Sequence, residues 1–214
     1  MILINNREKG GKLKVSEIKN LLNASYEPKD IVDDFIHDKT LSSGTSQVYY
    51  NPKNNHAVVA HRGTYDGKDW LNNLIFGIGG KSLYTLTPRY REAKRVQEEA
   101  EKKYGSGNTS TIGHSQAGLQ AELLGKKSKE IITLNKATAP FSNYKNDNQF
   151  DISSSKDLVS SLNPFQGKSK NDIIIKNDTI NQLSEHSIDI LNRLNPDYEI
   201  GYGLKFLSHQ RKKR

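Results

Sequence analysis

The sequence predicts an α/β domain built on a largely parallel central sheet. Three observations carry that expectation. The run Ala57-Val58-Val59-Ala60 is apolar without alternation, the pattern of a strand buried on both faces. Strand-prone and helix-prone segments alternate through the rest of the chain, as a sheet covered by helices requires. Between two of them, Thr111-Ile112-Gly113-His114-Ser115-Gln116-Ala117-Gly118 sets a serine among small residues, where a strand turns into a helix. No internal repeat or clear linker divides the 214 residues, which suffice for one sizeable core.

In chain order, residues 1–14 are polar and contain glycine, and read as a loose lead-in. Val15, Ile18, Leu21 and Leu22 recur on one helical face, so 15–22 is expected to be a packing helix. Ile31, Val32, Phe35 and Ile36 suggest a second helix over 30–37. Segments 46–50 and 56–61 are β-prone and are separated by Asn51-Pro52-Lys53-Asn54-Asn55, a turn-forming loop that predicts a hairpin. The strongest helix signal starts at Pro88, behind Thr87 as N-cap. It carries the stripe Ala93, Val96, Ala100 and Tyr104, and it stops at Gly105. Strand 108–112, the serine turn and helix 119–124, closed by Gly125, follow. Further strands are expected at 130–134, 149–152 and 172–175, and a last helix at 184–194 with His186 in its first turn.

Composition narrows the classes. The hydrophobic content of 34% and a mean hydropathy of −0.76 are low, but the apolar residues are clustered rather than dilute, which argues against disorder. The absence of cysteine excludes disulfides, thiolate catalysis and cysteine-based zinc sites. The six histidines are dispersed without metal-ligand spacing, and no glycine-rich phosphate loop leads into a helix, so no metal and no cofactor are expected. The N-terminus lacks a signal-peptide run and no stretch is long enough to span a bilayer, so an intracellular protein is expected. The net charge of +8 is densest at the end, in Arg211-Lys212-Lys213-Arg214. Such a tail is a solvated end or a peripheral contact for an anionic membrane. Without interleaved aromatics it makes nucleic acid an unlikely partner.

The serine turn carries the chemistry. Small residues on either side of a serine let strand and helix pass closely, and the helix points its first N–H groups at the hydroxyl. Alone, the pattern also fits an ordinary glycine–serine turn capping a helix. The rest of the chain decides. A nucleophilic serine needs a histidine base, a carboxylate to orient that base, and donors for the oxyanion. Ser115 is followed by Asp157 at the end of a predicted strand and then by His186, the only histidine beyond the elbow apart from His209 in the tail. That is the order serine, acid, histidine found in one large hydrolase class. Asp151 competes with Asp157 as the acid, but it lies between Phe150 and Ile152 and is expected to point outward from a half-buried strand. His114 is expected to be structural, and His61 to fill space.

The blocks Ala60-His61-Arg62-Gly63-Thr64 with Asp69-Trp70, Gly113-His114-Ser115-Gln116-Ala117-Gly118, Lys156-Asp157-Leu158-Val159 and Glu185-His186-Ser187 resemble, in the same order, the class 3 lipases, the fungal-lipase-like branch of the α/β-hydrolases. They look most like the small lipase-like proteins of large DNA viruses and some microbial eukaryotes. The resemblance covers about residues 45–195. It implies an α/β-hydrolase-type core over 45–195, with 1–44 as a helical lead-in packed on it and 196–214 as a basic tail. It implies a serine carboxylic-ester hydrolase acting on lipid or small esters, with Ser115 as nucleophile, His186 as base and Asp157 as acid. Thr64 and Gln116 would hold the oxyanion, and Arg62 would pair with Asp69. It also implies a lid over 71–80, where Leu74, Ile75, Phe76 and Ile78 are interrupted by glycines; a simple buried connection is the alternative for the same stretch. The chain departs from the family pattern at His61, where an apolar aromatic is usual, and at Ala117, where glycine is usual. The competing expectation is a non-catalytic structural or membrane- or nucleic-acid-associated module, such as a viral particle component, that inherited the fold.

Overall fold

The computed structural model describes residues 11–63, 85–137, 146–155, 171–176 and 182–200. Eight strands form one sheet in the order of the sequence: β1 (Ile31–Val32), β2 (Phe35–His37), β3 (Ser46–Asn51), β4 (His56–His61), β5 (Thr109–His114), β6 (Glu130–Leu134), β7 (Gln149–Ser154) and β8 (Ile173–Ile175). The first four pair antiparallel. From β4 to β8 every pairing is parallel. Every residue of β4, β5 and β6 is buried, which is why their sequences do not alternate.

Helices cover both faces. α1 (Val15–Tyr26) packs on β3, β4 and β5, together with a 3₁₀ turn over Ile188–Arg193. α2 (Pro88–Tyr104) and α3 (Gln116–Leu124) pack on the other side. Successive strand residues point to opposite faces, and the cores divide accordingly. Val58, Ala60, Ile112, Ile132, Leu134 and Ile152 join Ile18 and Leu22 of α1, whereas Val48 and Val59 meet Val96 and Ala100 of α2. α2 begins as predicted: the Thr87 hydroxyl accepts from the Tyr90 amide at 3.2 Å, Pro88 opens the helix, and Gly105 ends it at φ 87°. Among the described residues, no helix is long and apolar enough to cross a membrane.

Two element predictions fail for identifiable reasons. Residues 30–37 are not a helix but the hairpin β1–β2, with Ile31 opposite Ile36 and Val32 opposite Phe35. Asp33 takes φ 52° at the turn, a conformation that Asp tolerates and a helix forbids. The segment 184–194 is not continuous either. A short helix α4 (Gln182–Glu185) ends before His186, and a 3₁₀ turn starts after Ser187, whose side chain accepts from the Asp189 amide at 3.1 Å. A serine that bonds its neighbouring backbone diverts the chain from a continuous helix. The lid segment 71–80, the tail from 201 onward, and the Asp69 partner expected for Arg62 lie outside the described residues.

β4 carries a buried histidine at each end. His56 and His61 are both fully buried. His56 Nε2 lies 2.7 Å from the Ser110 hydroxyl, and His61 Nδ1 lies 2.8 Å from that of Ser46. Burial depresses the pKa of His56 to about 3 and that of His61 to about 4. His61 therefore stays neutral and fills the space between β3 and β4. The linkage has a definite sign. Below the ordinary histidine pKa of about 6.5 the unfolded chain takes up protons that the native chain refuses, so stability falls with pH from there toward 4. Each histidine contributes up to about 1.4 kcal/mol per pH unit. Glu130, whose pKa burial raises, offsets part of this. Urea unfolding at pH 7 and pH 5 is expected to differ by about 3 kcal/mol, and His61→Gln is expected to remove roughly half of the difference, since His56 remains.

Candidate active site

β5 runs straight into the elbow. Its last residue is His114, Ser115 follows, and α3 begins at Gln116. Ser115 has φ 59° and ψ −126°, a backbone conformation that non-glycine residues reach only under strain imposed by their surroundings. Hydrogen bonds over-determine it. The Ser115 amide donates to the Leu134 carbonyl at 2.9 Å, and the Ser115 carbonyl accepts from Ala137 at 3.0 Å and Gly118 at 2.9 Å.

The two positions that must lack a side chain are Gly113 and Gly118. A Cβ on Gly113 would strike the Ala117 carbonyl group, lying 2.5 Å from its carbon. A Cβ on Gly118 would lie 2.9 Å from the Lys136 Cβ and 3.1 Å from its Cα. The close approach of α3 to the chain just past β6 thus falls at 118 rather than 117. Ala117 is fully buried, and its methyl group is compatible with the formed turn. That departure from the family pattern leaves the elbow intact.

His186 is brought to this elbow from the far end of the chain. It is buried, and its ring centroid lies 4.9 Å from that of His114. Three strand ends hold the Glu185–His186 pair. At the end of β5, His114 Nε2 lies 2.7 Å from the His186 carbonyl oxygen. Just past β6, Asn135 donates its side-chain amide to the Glu185 carbonyl at 2.8 Å and accepts from the Ser154 amide at 3.0 Å. At the end of β7, the Ser154 hydroxyl donates to the Glu185 carboxylate. Arg193 grips the same carboxylate through both terminal nitrogens, at 2.8 and 2.9 Å. With its side chain fully buried, Glu185 depends on these partners, because a buried charge is tolerated only when it is paired and hydrogen-bonded.

The end of β4 is held in the same manner. Arg89 of α2 donates to the Arg62 carbonyl and, at 3.0 Å, to the Gly63 carbonyl. The Tyr26 hydroxyl, at the last residue of α1, lies against Gly63, where an added Cβ would strike it, and has its pKa raised to about 12, chiefly by burial. The same oxygen lies 3.1 Å from His114 Nδ1. The peptide before residue 64 is therefore secured on both sides.

Ser115 and Gln116 directly follow β5, and His186 is held beside His114 at the same carboxyl end of the parallel strands, the edge where open α/β sheets place ligands. Thr64 and Asp157 lie outside the described residues. Asp151, expected to point outward, instead belongs to a buried network. It accepts from Thr133 at 2.6 Å, from Gln149 at 2.8 Å and from Lys136 at 3.0 Å, and Lys136 also pairs with Glu122 of α3. The reason is that a lysine whose side chain is only 4% exposed requires carboxylates around it. The sequence reading missed this network, as well as Asn135, Arg89 and Tyr26, because each acts across elements far apart in the chain.

No family model and no curated protein matches the chain. Among solved structures, it is similar to the Lip2 lipase from Yarrowia lipolytica, with a TM-score of 0.49 and 12% identity over 75% of this chain and 77% of that one. It is also similar to a triacylglycerol lipase from Penicillium expansum, with a TM-score of 0.48 and 14% identity over 76% of this chain and 78% of that one.

Proposed function

We propose that the chain is a serine carboxylic-ester hydrolase of the lipase or esterase type. The observation that carries this reading is the strained backbone of Ser115 at the β5–α3 junction, with the His186 ring packed against the residue beside it. Ser115 attacks the ester carbonyl and passes its proton to His186. The amide of Gln116 and that of Thr64 hold the oxyanion. His186 then protonates the departing alcohol, and water attacks the acyl-serine by the reverse route to release the acid. Asp157 orients His186. Three residue positions support this assignment: Ser115 follows β5, Asp157 follows β7 and His186 follows β8, in the order serine, acid, histidine.

The test is covalent labelling of the full chain by a fluorophosphonate, with the modified residue mapped by mass spectrometry. Modification of Ser115 is the expected result. Labelling elsewhere, or none under conditions where a control serine hydrolase reacts, overturns the proposal.

A lipid ester is the proposed substrate class, because the segment 71–80 is apolar and glycine-interrupted and the terminal Arg211-Lys212-Lys213-Arg214 is basic. Hydrolysis on vesicles containing anionic lipid is expected to exceed that on neutral vesicles and to weaken as salt rises. Phe76→Ser with Ile78→Ser is expected to lower activity on aggregated lipid while sparing a soluble short-chain ester. Equal loss on both substrates would assign these residues to packing.

A further inference from the structure

We infer that Tyr26 and His114 form a positioning pair that holds the backbone of the base and the peptide leading to the oxyanion loop in one register around Ser115. The inference rests on the hydrolase reading above and extends it to two residues outside the reacting groups.

The hydrogen bonds fix its direction. His114 Nε2 faces the His186 carbonyl oxygen at 2.7 Å. A carbonyl only accepts, so Nε2 carries the hydrogen and donates. In the neutral ring Nδ1 is then an acceptor, and the Tyr26 hydroxyl, 3.1 Å away, donates to it. The Tyr26 oxygen in turn lies against Gly63, where an added Cβ would strike it. Protons thus point one way, from Tyr26 through His114 to the His186 carbonyl. The high pKa of the Tyr26 hydroxyl keeps its proton in place.

Packing supports the same link. A Cβ on Gly63 would strike the Tyr26 hydroxyl and lie 2.9 Å from the His114 carbonyl oxygen. The Tyr26 and His114 rings meet edge to face with centroids 6.2 Å apart. Three segments separated by dozens of residues, the end of β4, the end of β5 and the turn after α4, therefore share one buried junction, and Ser115 is the next residue after its centre. Neither side chain is assigned a proton transfer or a contact with substrate. Their effect is on placement, and small misplacements of a catalytic group cost rate steeply.

The test compares His114→Phe, His114→Gln, His114→Asn and Tyr26→Phe in the full chain. Measurements are kcat and KM on a soluble ester, the rate of fluorophosphonate labelling of Ser115, and the imidazole nitrogen spectrum. A glutamine amide reaches the place of Nε2 and keeps the bond to His186, whereas an asparagine amide reaches only that of Nδ1. His114→Phe is expected to lower kcat and labelling by roughly 10- to 100-fold with KM little changed. Glutamine is expected to recover most of the loss, and asparagine little. The wild-type spectrum is expected to show His114 protonated at Nε2 alone, with its Nδ1 resonance moving in Tyr26→Phe. If Ser115 labels as fast in His114→Phe as in wild type, the pair has no positioning role and the hydrolase reading still stands. If Ser115 never labels while the Nε2-protonated form is seen, the hydrolase reading falls and the pair is packing only. A proton on Nδ1 overturns the inference outright. Should His114→Phe fail to fold, the glutamine-to-asparagine contrast and Tyr26→Phe decide it.

Discussion

Ser115→Ala is expected to reduce ester turnover by roughly four to six orders of magnitude while leaving the fold intact. The size of the loss follows from what the residue does. Without its hydroxyl no acyl-serine forms, and His186 has no partner to deprotonate, so the remaining rate reflects only substrate binding and oxyanion donors acting on water. Stability should barely change, because the elbow is held through the Ser115 backbone: its amide bonds Leu134, and its carbonyl bonds Ala137 and Gly118. Alanine does not favour φ 59° any more than serine does, so a small decrease in melting temperature is the most that is expected. Turnover of a chromogenic short-chain ester by both proteins, with circular dichroism melts alongside, checks the two halves together. Equal turnover would remove Ser115 from the chemistry.

Gly113→Ala is expected to have the largest effect on stability of any single methyl added to the described residues. The new Cβ would strike the Ala117 carbonyl oxygen, with the carbonyl carbon 2.5 Å away and the Gly118 nitrogen 2.9 Å away. All three are backbone atoms of the first turn of α3, so no side-chain rotation relieves the clash. Either α3 lifts from the sheet or β5 shifts. Overpacking of this kind costs about 3 kcal/mol or more, a large share of the 5–15 kcal/mol that typically separates folded from unfolded chains. Gly44→Ala is the control, since nothing lies within 4 Å of a Cβ there. Urea denaturation is expected to show a large drop in midpoint for the first variant and almost none for the second. Similar midpoints would mean that the strand–helix crossing is looser than these distances require.

Local signals in the chain proved readable where one segment contains its own explanation. The buried character of β4 is written in four consecutive apolar residues, and the limits of α2 in Thr87, Pro88 and Gly105. The elbow is likewise visible from Gly113, Ser115 and Gly118. Failure came where two periodicities coincide or where partners are remote. Ile31, Val32, Phe35 and Ile36 suit one helical face, but they also suit a hairpin that turns at Asp33-Asp34, and only pairing with β3 decides between them. The break in the helix around His186 was not foreseen: Ser187 turns its side chain to the Asp189 amide, and Glu185 is held by Arg193 and by Ser154 of β7. Asp151 was read from its strand neighbours alone, although its place is set by Lys136, just past the end of β6. Of the candidate site, the sequence offers the proposed reacting groups, but not the side chains that hold Glu185 and His186 in place.

The segment that bears His186 is also the one that closes the molecule onto its beginning. Ile200 donates to the Leu13 carbonyl at 2.9 Å, and the first amides of α1 donate to Pro196 and Tyr198 at 3.0 and 2.8 Å. During synthesis, by contrast, strands β1 to β6 leave the ribosome in the order in which they stand in the sheet, and each is added beside the one just made. Ser115 is thus seated on its turn well before the base exists. On the proposed chemistry, Ser115 waits without its base until the stretch around His186 has been made and docks against α1.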